Sequence, residues 1–170
     1  MALAKKSVTG EAIGTPPKEW QAFLARIFAT GLGTGYAPTA QGTLGSALFV
    51  ILWVLLMPDQ IVWQIVVVVF LNLVSIPLSG WGERMWGQDP GRVTVDEFAG
   101  QSIALLAVPM TWPAVLAAFL LFRLFDTFKL PFIKRHVETL PGGWGVTLDD
   151  TVAGILARLV MIAVLCFLPS

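Results

Sequence analysis

Two acidic pairs, Asp96-Glu97 and Asp149-Asp150, each stand at the mouth of a long apolar run, and a fifth acid, Asp126, lies between two cations, Arg123 and Lys129. In a chain that is 56% hydrophobic and only 13% charged, carboxylates placed beside membrane-like segments are costly and require a cation to hold. The donors are hard oxygens with no His/Cys cluster near them, which suits Mg²⁺, commonly bound by one or two carboxylates with phosphate oxygens and water. Arg and Lys beside such an ion are phosphate clamps. The residue types predict a Mg²⁺-dependent enzyme working on a phosphate at a membrane surface.

Three polar islands carry this chemistry. The first, Gly31 to Ser46, is dense in glycine and hydroxyls and runs straight into an apolar segment. Backbone amides freed by glycine ahead of a helix can cradle an anion, and Gly42 and Thr43 are its candidate phosphate contacts. An ordinary interfacial turn has the same composition. The second island holds Asp89, Arg92, Asp96 and Glu97, with Arg92 as another candidate phosphate ligand. The third carries Arg123, Asp126 and Lys129 at intervals of three, so that they share one helix face, followed by a glycine turn, Gly142 to Gly145, leading to Asp149 and Asp150.

Structure alone explains part of this inventory. Thr94 with Glu97, and Thr147 with Asp150, fit capping boxes, which leaves Asp96 and Asp149 as the acids least explained by helix ends. Intrahelical pairing would account for the Arg123–Asp126–Lys129 trio at a few tenths of a kcal/mol per pair. The basic run Lys134-Arg135-His136 reads as a surface for anionic headgroups.

The elements that position these groups are read as helices. Pro17 to Thr30 spaces Trp20, Phe23, Leu24, Ile27 and Phe28 as the apolar face of an amphipathic helix at the lipid interface. Gly42 to Met57 and Ile61 to Ser79, broken by Pro58-Asp59-Gln60, form a transmembrane hairpin. Pro109 and Pro113 divide the next run into helices over 94–108 and 113–128. A last span covers Thr151 to Leu168 and includes Arg158. With a hairpin at Pro109–Pro113, nearly all Lys and Arg share one membrane face, the cytoplasmic one by the positive-inside rule. The expected fold is all-α: a small multi-pass bundle with short or broken helices, comprising a flexible tail over 1–16 and one domain over 17–170.

The composition sets the class. A mean hydropathy of +0.76, with seven Trp and eleven Phe, marks an integral membrane protein of one domain. Residues 1–19 lack the apolar core of a cleavable signal, so insertion is expected through the chain's own spans. A net charge of zero gives no basic face for nucleic acid. Cys166, the single cysteine, is expected to be a buried, inert thiol. One histidine, His136, cannot supply a two-histidine phosphatase site; no arginine-bearing phosphate loop follows Cys166; and no Asp-x-Asp nucleophile motif occurs.

Four motifs in order resemble the phosphatidylglycerophosphatase A family over roughly residues 25 to 165. They are Gly31-Leu32-Gly33 through Gly42-Thr43-Leu44-Gly45-Ser46; Asp89-Pro90 with Val95-Asp96-Glu97-Phe98 and Gly100; Phe122-Arg123-Leu124-Phe125-Asp126 with Lys129; and Gly142-Gly143-Trp144-Gly145 leading to Asp149-Asp150. Gln41 and Leu130 stand where that family usually has proline, departures that alter loop stiffness more than chemistry. The resemblance implies Mg²⁺-dependent removal of the terminal phosphate of phosphatidylglycerophosphate in the bacterial inner membrane, with phosphatidylglycerol as product. Asp96, Glu97, Asp149 and Asp150 would hold the metal, with Asp126 also catalytic, while Arg123 and Lys129 would stabilise phosphoryl charge. Attack by water and an aspartyl-phosphate on Asp126 both remain open. A phosphotransferase using CDP-linked lipids and a non-enzymatic cation carrier are the alternatives. The first lacks its Asp-Gly start here, and the second gives no reason for the Arg and Lys clamp.

Overall fold

A short helix, α4 (Val95–Leu105), forms the centre of the molecule, and ten of its eleven residues are buried. The computed structural model describes residues 15–128, 140 and 142–167; the expected flexible tail lies almost wholly outside them, as do Lys129, Lys134, Arg135 and His136. Six α-helices are described: α1 (Glu19–Leu24), α2 (Gln41–Leu56), α3 (Ile61–Trp86), α4, α5 (Trp112–Thr127) and α6 (Trp144–Phe167). A π-helical turn (Ala25–Ala29) extends α1, and a 3₁₀ turn (Thr34–Tyr36) precedes α2. The fold is all-α, and α3 is the one described helix both long and apolar enough to cross a membrane.

α2, α3, α5 and α6 all pack on α4. Its apolar contacts run through Phe98 and Leu105 to Phe49, Trp53, Val115 and Met161. Small residues allow the closest approaches. A Cβ on Gly100 would overlap the backbone carbonyl of Asp150, and one on Gly154 would overlap the carbonyl of Gly100. Here α4 and α6 cross almost backbone to backbone, as small residues permit between membrane helices. Polar side chains tie α3 to the same pair. Asn72 Nδ2 donates to the Ala99 carbonyl at 3.3 Å, its Oδ1 accepts from Thr151 Oγ1 at 2.7 Å, and Ser75 Oγ lies 3.0 Å from Thr147 Oγ1.

The helices alternate in direction, so two turns share one end. Buried Gln64 joins them: its Oε1 accepts from the Ala107 amide at 2.9 Å and its Nε2 donates to the Pro58 carbonyl at 3.4 Å. Arg158 also reaches this end, donating to the Ala107 carbonyl at 3.4 Å. The break between α4 and α5 is thus the reversal that Pro109 and Pro113 predict. Every candidate acid lies at the opposite end.

Three expectations are corrected. α3 does not stop at Ser79 but continues through Pro77 to Trp86, because its last turns are held from outside: Glu83 accepts hydrogen bonds from the amides of Gly143, at 3.1 Å, and Asp89, at 3.4 Å. α6 begins at Trp144, not Thr151, since the left-handed glycines Gly142 (φ 74°) and Gly143 (φ 86°) complete the turn and nothing after them breaks a helix. Cys166 is exposed, because it lies on an outward side of α6, where its neighbour Leu165 still packs against the core. The N-terminal apolar stripe faces outward, with Trp20, Phe23 and Phe28 exposed, while Ala25 and Ala29 pack inward toward α3.

The crossing of α4 and α6 yields a stability test. Gly100→Ala should destabilise the fold by about 1–3 kcal/mol, the usual range for overpacking a filled site. The readout is thermal unfolding in detergent, where an unchanged midpoint would show that the crossing has slack.

Candidate active site

The first turn of α4 carries Asp96 and Glu97 into the end of the bundle where α2 and α6 start and α5 finishes. Glu97, Asp126 and Asp150 each offer a carboxylate oxygen within 4.8 Å of the other two. With Asp96, these acids are only 3–8% exposed. Water therefore does little to screen their mutual repulsion, and they need fixed positive partners.

One such partner is Arg123, on the last turns of α5. Its Nη1 pairs with Glu97 Oε2 and its Nη2 lies 3.0 Å from Asp126 Oδ2. The i,i+3 pairing expected within α5 is present, but the same guanidinium also bridges to α4, so it closes the cluster as well as stabilising a helix. Ser46, which is fully buried, completes the bridge. Its hydroxyl is 3.1 Å from Glu97 Oε2, accepts from Arg123 Nη1 at 3.3 Å, and lies 2.9 Å from the Gly42 carbonyl.

Gly42 has a defined steric role. A Cβ there would overlap the Glu97 carboxylate and crowd Arg123 Nη1, so only glycine lets the start of α2 lie against this ion pair. Thr43 and Arg92 are exposed. Neither lines the acid pocket, a cavity of about 440 Å³ bounded by Gln41, Gly42, Asp89, Pro90, Gly91, Val93, Asp96, Glu97, Asp126, Thr127 and Asp150.

The capping explanations fail on this geometry. Thr94 makes no side-chain cap to α4; its hydroxyl lies 3.0 Å from Thr34 Oγ1, tying the glycine loop to the second island. Thr147 is inside α6 and pairs with Ser75, so Asp150 sits in the helix's second turn and does not answer a cap. Glu97 and Asp150, the acids that capping seemed to explain, are therefore the ones gathered with Asp126. Asp96 borders the same pocket, and its Oδ1 is buried with no hydrogen-bond donor among the described residues. Asp149 instead lines a small recess on another side of α6 with Glu83, Gln88 and Asp89.

Sequence reasoning assigned no role to Ser46, Gln41, Thr127 or Glu83. Ser46 sits four residues beyond Gly42, hence on the same helix face, and that spacing was the available signal. Glu83 offered only its position near the end of an apolar run. Its bonds to Gly143 and Asp89 fasten together the two loops that introduce α6 and α4.

The donor set fits a divalent metal. Three buried carboxylates converge with Asp96 beside them, all potential ligands are oxygens, and among the described residues one buried oxygen of Asp96 has no donor. The arrangement can concentrate positive charge in a cleft open to a phosphate.

Comparison with known proteins agrees with this chemistry. The family model described as phosphatidylglycerophosphatase A matches residues 27–165. A Bacteroides thetaiotaomicron protein described as "Putative phosphatidylinositol-3-phosphatase" is 41% identical over 84% of this chain and 93% of its own length. Phosphatidylglycerophosphatase A of Escherichia coli is 32% identical, covering 77% of each chain, and that of Haemophilus influenzae is 35% identical over 81% of this chain and 86% of its own. No solved structure matches the chain. With the match spanning every element from the π-turn to α6, the chain belongs to the phosphatidylglycerophosphatase A family of lipid phosphatases.

Proposed function

We propose that this protein removes the terminal phosphate of phosphatidylglycerophosphate, with Mg²⁺ bound by Glu97, Asp126 and Asp150 and with Asp96 beside them. The observation that carries the reading is the convergence of three buried acids from three helices on one point, two of them, Glu97 and Asp126, bridged by Arg123. When bound there, a divalent cation would neutralise phosphoryl charge and make a water more acidic. The chain's own groups have separate tasks. Arg123 offers a guanidinium to the phosphoryl oxygens from a place already fixed by Glu97 and Asp126, so little reorganisation is needed as charge develops. Asp96 borders the pocket and would accept a hydrogen bond there from water or substrate. Asp126 is also the acid from which an aspartyl-phosphate route would proceed. Lys129, two residues beyond α5, remains the proposed second phosphate cation, with Arg92 and Thr43 as contacts at the rim.

The proposed setting is the bacterial inner membrane, with several helices spanning it. The turns joined by Gln64 would lie at one surface and the acid pocket at the other, the cytoplasmic side, where the sequence puts nearly all its Lys and Arg. Exposed Trp20, Phe23 and Phe28 would anchor the N-terminal helix at that interface. Family membership leaves the CDP-lipid phosphotransferase and cation-carrier alternatives without support. A phosphatidylinositol phosphate is the second substrate reading, favoured by the name of the relative that is 41% identical.

Phosphate release from purified protein tests this directly. Activity is expected on phosphatidylglycerophosphate with Mg²⁺, with none in EDTA and a slower rate on phosphatidylinositol 3-phosphate; the reverse preference would transfer the assignment to the inositol lipid. Glu97→Gln, Asp126→Asn and Asp150→Asn should each cost roughly 10²- to 10³-fold in kcat, while Asp149→Asn should stay within about tenfold of the unaltered protein. Equal losses at Asp149 and Asp150 would refute the division between them. Mg²⁺ at about 100 times its Kd should add up to about 2.7 kcal/mol of stability in thermal unfolding, and the Asp126→Asn form should lose that response.

A further inference from the structure

Among the described residues, two apolar grooves open on the outer surface of the bundle, and one of them shares a lining residue with the acid pocket. The larger, about 670 Å³, lies along α2 and α3 among Phe49, Trp53, Phe70 and Trp81. It is walled off from the acids by the first turn of α4, in which Val95 and Phe98 line the groove while Asp96 and Glu97 line the acid pocket. The other, about 570 Å³, runs between α5 and α6 along Leu120, Leu124, Phe128, Val160 and Val164. Thr127 borders both this groove and the acid pocket, and Arg123, whose guanidinium holds Glu97 and Asp126, also lines the groove.

We infer that the α5–α6 groove seats an acyl chain of the phospholipid whose phosphate enters the acid pocket. The inference rests on the lipid-phosphatase reading and specifies how that site takes its substrate. Arg123 and Thr127 stand at the junction of headgroup and chain: the apolar stem of the arginine faces the groove and its charged end faces the acids, a division this side chain makes readily. From Ala117 to Phe128 the groove follows α5 for about 16 Å at the usual helical rise. One leaflet is about 15 Å deep, half of a hydrocarbon core of about 30 Å. Leu120, Leu124 and Phe128 are 48–72% exposed, so the groove is open along its side and a chain enters laterally from the leaflet without threading. The α2–α3 groove is larger, but it has no such path to the acids.

Photolabelling in lipid nanodiscs tests the assignment on the complete protein. The probe is phosphatidylglycerophosphate with a diazirine near the end of one acyl chain, compared with phosphatidylcholine carrying the same chain. Labelling by the phosphomonoester lipid in excess of the choline lipid is expected on α5 and α6, around Leu120, Val160 and Val164. Leu120→Trp should remove that excess and lower kcat/KM for the long-chain lipid roughly tenfold or more, while leaving turnover of a dihexanoyl analogue near its original value. Equal labelling by the two lipids, or an excess on the α2–α3 groove, would overturn the inference, whether or not Leu120→Trp folds. Excess labelling on α5 and α6 without phosphate release would uphold the groove and overturn the proposed hydrolysis.

Discussion

The acid site depends on the near-contact of two backbones. Gly100 of α4 lies against the Asp150 carbonyl, and Gly154 of α6 lies against the Gly100 carbonyl, so neither helix can move away without the other. Glu97 and Asp150 sit within a turn of this crossing, and its closeness puts their carboxylates within reach of one another. Side chains of ordinary size there would separate the helices and spread the acids, relieving their repulsion at the loss of any common ligand. Packing thus imposes an electrostatic conflict that a cation, or a proton on one of the acids, resolves.

Arg123 resolves part of that conflict from within the chain. It draws Glu97 and Asp126 together, and Ser46 supplies a neutral hydrogen-bonding group on the same bridge. Four acids are gathered in a place water barely reaches, which favours positive charge among them. Removing one member of such a network usually costs more than the pair contributes when whole, because the charge left behind is stranded. A bound cation would relieve the repulsion that remains among the acids.

Much of this was legible in the sequence, because hydropathy and proline report directly on helix boundaries. Pro58 and the Pro109–Pro113 pair mark the turns joined by Gln64, and the direction of each helix follows from them. The acids of the site were also visible as charges too costly to be incidental. Which acids converge was not legible, because that depends on a single helix start. Reading the last span from Thr151 left Asp149 and Asp150 as two acids at the start of a helix, told apart only by the cap that Thr147 offered Asp150. Starting it at Trp144 places them on different faces of one helix, with Asp150 toward α4 and Asp149 toward Glu83 and Asp89. The support for that earlier start is tertiary: Glu83 binding Gly143, and Thr147 binding Ser75 seventy-two residues away.

Gln41 shows how a departure from a family pattern can keep its mechanical effect. Proline at this position would stiffen the entry to α2 by fixing φ. Gln41 instead restrains the loop through its side chain. Its Nε2 donates to the Ala37 carbonyl at 2.9 Å, closing the turn before the helix, while its Oε1 lies over Gly91, where a Cβ would collide with it. The first and second islands are thereby held together at the lip of the acid pocket. Unlike proline, the amide also leaves a neutral polar group on the pocket wall.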